Sequence, residues 1–189
     1  MKPKRHPHSL LHLPSLVFTA AVFIAPSAHA VSATWNGATN TELTTGGNWV
    51  GSVTPGATNG DIATFDGTQA GNLSLTWGGT WGPTSAAGGG LNLSVLGTQT
   101  GSLTLDATTA SAVGLGNITI ASSAGAFSLG DGIGTSNATL RTASTSTFTN
   151  NSSNTATIAS DVVFTSGNAV NPRTTVYTGT GNWLVNNAV

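Results

Sequence analysis

The stretch "TASTSTFTNNSSNTATIAS", residues 142–160, contains no charged residue, and its Phe148, Ala156 and Ile158 are each flanked by Thr, Asn or Ala. Apolar side chains that alternate with polar ones have the period of a strand with one face turned inward, whereas a helix would space them three and four apart. Threonine is β-branched and suits a strand, while Ser and Asn favour turns. The stretch is therefore read as successive short strands, whose Thr and Asn side chains can stack into ladders.

The same alternation extends outward in both directions. It appears in "NLSLTW" at 72–77, "LNLSVL" at 91–96, "SLTLD" at 102–106, "NITIA" at 117–121 and "AFSL" at 126–129, then in "DVVFT" at 161–165, "TTVYT" at 174–178 and "NWLVN" at 182–186. Between these segments lie glycine-rich breaks such as "TSAAGGG" at 84–90 and "LGDGIG" at 129–134, which supply turns with positive φ. No segment sustains a helical period, so the chain is all-β.

Two architectures fit such a pattern. An antiparallel β-sandwich needs tight Asn-Gly or Asp-Gly hairpins, and three of the four such pairs lie early, at Asn36-Gly37, Asn59-Gly60 and Asp66-Gly67. Beyond Leu91 the turns are looser. That favours a right-handed parallel β-helix with an N-terminal cap, in which strands stack turn upon turn at about 4.8 Å. No exact repeat period is visible.

The first turn of a stacked fold exposes unpaired backbone and core, and something must cover it. The block "TWNGATNTELTTGGNWVGSVTPGATNGDIATFD" at 34–66 is suited to this, with Trp35, Trp49, Pro55 and Phe65 as its bulky or turn-setting residues and Asp61 as a hydrogen-bonding cap residue. The expected organisation is a signal peptide over 1–30, a cap over 31–70 and helix rungs over 71–189.

Residues 1–30 open with Lys2, Lys4 and Arg5, run apolar from Leu10 to Ala25 and end on Ala28-His29-Ala30. This is the plan of a secretory signal peptide, with Pro14 and His12 interrupting a run shorter than the roughly 20 residues of a spanning helix. Cleavage near Ala30 implies a secreted or outer-membrane, cell-surface protein of about 159 residues. It also removes all four histidines and leaves Arg141 and Arg173 against six acids, a net charge of −4.

That inventory excludes much chemistry. So few cations make nucleic acid a poor partner. Without His, Cys or Lys there is no Ser-His-Asp triad, thiol nucleophile, Schiff base or ordinary zinc site. Asp61 and Asp66, the closest pair of acids, would sit on opposite faces of one strand, unsuited to glycoside hydrolysis. "NGDIATFDGT" at 59–68 and "GDGIGTSN" at 130–137 offer oxygen atoms but lack the alternating acids of a calcium loop, so turn-forming Asp is the simpler reading. No catalytic residue, cofactor or metal is expected.

Carbohydrate binding is the alternative. In "TWGGTW" at 76–81 the period of two puts Trp77 and Trp81 on one face; exposed, they would form a platform for sugar stacking, and buried, they would fill the core. Polysaccharide is the partner on that alternative.

Taken together, "TWNG" at 34–37, "GGNW" at 46–49, "VTPGATNGDIATFD" at 53–66, "ITIASSAGAFSLGDG" at 118–132 and "GTGNWLVNN" at 179–187 resemble the N-terminal part of autotransporter-associated β-strand repeat proteins. The resemblance covers most of residues 33 to 187. It implies a long secreted passenger built as a parallel β-helix, with Gly-rich repeats and an outer-membrane barrel or other anchor downstream. This sequence reaches Val189 without such parts, so a fragment, or a partner covering the last rung, is expected.

Overall fold

A computed structural model describes Met1 and residues 29–83, 89–133, 138–165 and 173–186. The signal-peptide reading of residues 1–30 thus lies almost wholly outside the described residues.

Among the described residues, fourteen short strands form the fold: β1 (Ser32–Thr34), β2 (Ile62–Phe65), β3 (Leu73–Trp77), β4 (Thr80–Trp81), β5 (Leu91–Val95), β6 (Leu103–Ala107) and β7 (Ala112–Ile120), followed by β8 (Phe127–Leu129), β9 (Ala138–Thr142), β10 (Thr145–Asn150), β11 (Ala156–Ile158), β12 (Val162–Phe164), β13 (Thr174–Thr178) and β14 (Trp183–Val185). Every strand-to-strand ladder is parallel. The chain is a parallel β-helix of about five turns, and the antiparallel sandwich is excluded.

The pairing resolves three faces. One stacks β1-β2-β5-β7-β10-β13, a second stacks β3-β6-β8-β11-β14, and a third stacks β4, the first half of β7, β9 and β12. The chain visits the faces in that order, one strand each, before rising to the next turn. The long strand β7 bends from the third face onto the first, with a register irregularity between Leu91 and Leu93 of its neighbour.

Register shows why no repeat period is legible. Along the first face, Ile62 pairs with Asn92, Leu93 with Ile118, Ile118 with Phe148 and Phe148 with Tyr177, so turns take 30, 25, 30 and 29 residues. Corners absorb the variation while strands keep their stacking.

Inward positions form apolar columns. Leu75, Leu105, Leu129 and Ile158 line the second face, Val113 and Leu140 the third, and Ala63, Leu93, Ile118 and Phe148 the first, all buried. Burying them, at about 1.5–3 kcal/mol for each large side chain, supplies the stabilisation that a chain without cysteine cannot draw from disulfides.

The expected polar ladders are present on the outside of the first face. Thr34, Thr64, Ser94, Thr119, Thr149 and Thr178 stand in register. Beside them, Asn92 Oδ1 accepts the Asn117 N–H at 2.9 Å and Asn117 Oδ1 accepts the Thr147 N–H at 2.9 Å, linking one turn to the next.

The segment expected as a cap has two parts. Strands β1 and β2 already belong to the first face, so the rungs begin within residues 31–70 rather than at 71. The covering part is the chain between them, including a short 3-10 turn at Gly46–Asn48 and an antiparallel bridge between Trp35 and Trp49.

Candidate functional site

The covering segment is built around four indoles. Trp35 and Trp49 meet edge to face with centroids 5.2 Å apart, Trp49 lies 6.5 Å from Trp81, and Trp81 lies 6.1 Å from Trp77; Phe65 packs on the first two. Such arrangements contribute beyond the apolar area alone.

Three of the indole N–H groups tie the cover down. Trp35 Nε1 donates to Gln69 Oε1 at 2.7 Å, Trp49 Nε1 to the Leu43 carbonyl at 2.8 Å and Trp81 Nε1 to the Pro55 carbonyl at 3.1 Å. Trp77 Nε1 is buried without a hydrogen-bond partner. Pro55 thus acts through its carbonyl as well as through its turn.

Sugar stacking on Trp77 and Trp81 is not supported. They are only 0% and 1% exposed, in the apolar core. The period-of-two argument placed both side chains on one face of a single strand and left open whether that face meets solvent; both turn into the core. They sit on two strands, β3 and β4, separated by the Gly78-Gly79 corner.

Asp61 is buried just ahead of β2 and anchors the cover. Its Oδ1 accepts the Val31 N–H at 2.7 Å, and its Oδ2 accepts those of Gly56 at 2.8 Å and Thr58 at 3.0 Å. Asp66, by contrast, accepts the Thr68 N–H at 2.9 Å in a local turn. Asn48, fully buried, completes the cover: its Oδ1 takes the N–H groups of Thr39 and Asn40, and its Nδ2 donates to Asn40 Oδ1 and the Glu42 carbonyl. Residues 41–43 then extend along the free edge of β3, where the Leu43 N–H donates to the Thr76 carbonyl at 2.7 Å and the Thr76 N–H to the Thr41 carbonyl at 2.9 Å.

Outside the cover, a shallow depression of about 310 Å³ lies on the first face, lined by Ile62, Asn92, Leu93, Ser94, Asn117 and Thr119. None of these side chains ionises, so the depression offers contact and hydrogen bonding rather than acid–base chemistry.

Sequence reasoning missed one grouping. Asp106, Asp131 and Asp161 bring carboxylate oxygens within 4.8 Å of one another. Burial raises the Asp106 carboxyl above its usual range; a backbone N–H at Ala107 opposes this, and the neighbouring Asp131 and Asp161 reinforce it. The acids lie 25 and 30 residues apart, one turn each, but those turn lengths vary and are given by the register rather than by the sequence. The second oxygen-rich loop considered for calcium, 130–137, includes residues 134–137, which lie outside the described residues.

Against known proteins, neither a family model, nor a curated protein, nor a solved structure matches this chain.

Proposed function

We propose that this protein is a secreted, noncatalytic structural module, the cap and first rungs of an autotransporter-like passenger at the cell surface. The observation that carries this reading is the asymmetry of the ladder. Its first turn is covered by residues 36–60, while β13 and β14 each pair in parallel on one side only among the described residues, so a further turn can pair on the other. Stacked strands of this kind give length and rigidity from backbone hydrogen bonds and an apolar interior. A rod so built holds whatever follows it away from the membrane, and a downstream passenger or outer-membrane anchor is its partner.

The mature composition agrees, since no His, Cys or Lys remains to serve a reaction. The reading is tested by probing culture supernatant and outer-membrane fractions with an antibody against residues 31–189. A membrane-associated band much larger than this chain is expected. A soluble band of the chain's own size, with none in the membrane, would sink the display role.

A further inference from the structure

We propose that the corner where Asp106, Asp131 and Asp161 converge is a proton-operated latch, which tightens three successive turns when the carboxylates share a proton and loosens when they lose it.

The geometry is set by register. Asp106 points outward from β6, and the pairing of Leu105 with Leu129 brings Gly130 alongside it, with Asp131 next in the chain. Asp161 enters β12 one turn higher and lies directly over Gly130. A Cβ at Gly130 would collide with the Asp161 carboxylate and Val162, and its φ of +81° is one that glycine adopts freely.

The three acids are unequally buried. Asp161 is 5% exposed and held by the N–H groups of Gly132 at 3.1 Å and Asp131 at 3.4 Å. Asp106 Oδ1 is buried with no hydrogen-bond partner, whereas Asp131 is exposed and accepts the Ile133 N–H at 2.7 Å.

Among the described residues, the charged groups that act on Asp106 are negative. Asp131 faces it from the loop after β8 and Asp161 from the entry to β12. On the β3 side Thr76 is its pairing partner, and beyond Thr76 stands Glu42, whose Oε1 accepts the Gly78 N–H at 3.0 Å. Carboxylates this close cannot all remain charged without cost, and one shared proton converts repulsion into a hydrogen bond.

The sign follows from linkage. Burial holds the folded Asp106 carboxyl above the ordinary carboxylate range, so the folded chain binds more protons than the unfolded one there. The stabilisation is fully present below the ordinary carboxylate pKa and is lost as pH rises through the raised, folded one. Acidification into the carboxylate range therefore strengthens the fold at this corner.

Thermal unfolding of the full chain from about pH 7.5 down to about pH 4.5 tests this. The expected result is a Tm that rises as pH falls. Asp106→Asn, which carries a permanent donor, should raise Tm at neutral pH by about 2–4 °C and flatten the profile. Asp66→Asn, in a local turn elsewhere, should leave the slope unchanged. If Asp106→Asn fails to fold, Asp131→Asn should still reduce the slope. The proposal is overturned if wild type and these corner variants share one slope, if wild type only loses stability on acidification, or if added calcium alone stabilises the chain with no response to pH.

Discussion

The two ends of the ladder hold similar aromatic side chains and treat them in opposite ways. At the first turn, Trp35, Trp49, Trp77 and Trp81 are at most 1% exposed, because a folded segment covers them and three of their N–H groups are bonded. At the last described turn, Phe148, Tyr177 and Trp183 also pack together, with centroids 5.4 to 5.9 Å apart, yet Tyr177 is 37% exposed and Leu184 47%. Aromatic clustering is thus common to both ends, and the cover is what distinguishes them. A ring within the ladder, such as Phe148, is sealed by the next turn, whereas one at the end is sealed only when the chain folds back across it.

The contrast can be broken most severely at the covered end. Trp49→Ala should cost about 3–5 kcal/mol, since it empties the centre of the indole cluster and frees the Leu43 carbonyl; urea unfolding would measure it, and a loss under about 1 kcal/mol would show that the cover contributes little. Asp61→Ala should follow, at about 1–3 kcal/mol in all, because the three N–H groups left without their acceptor are only partly buried and can turn to water; it is again read from the unfolding midpoint.

Finer substitutions sharpen the comparison. Trp81→Phe should destabilise by about 1 kcal/mol more than Trp77→Phe, because only Trp81 has an N–H partner to lose, at the Pro55 carbonyl. At the far end, Leu184→Ser should change stability by no more than about 0.5 kcal/mol, as an exposed substitution does. Acrylamide should quench chiefly Trp183, with Trp183→Phe removing most of the quenchable emission; strong quenching in that variant would show that the indole cluster is open.

Much of this architecture was readable from the chain, and the reason is local. Alternation in "LNLSVL", "SLTLD" and "TATIA" states which side chain faces in, and β5, β6 and β11 form there with Leu91, Leu103 and Ile158 buried. Strand β4 was not read separately, because two residues carry no periodicity. Trp77 and Trp81 were legible as a same-side pair but not as core, since alternation assigns faces without saying which face meets solvent.

The sequence by itself determined the all-β class, the inward and outward sets of residues, and the presence of an aromatic, turn-rich block at 34–66. Those properties depend on neighbours one or two residues apart. Only the tertiary structure decided that the pairing is parallel, that the four indoles lie inside, and that Asp106, Asp131 and Asp161 meet. Each of these joins residues a turn apart, and with turns that vary from 25 to 30 residues the stacking is fixed by backbone register rather than by any repeat in the sequence.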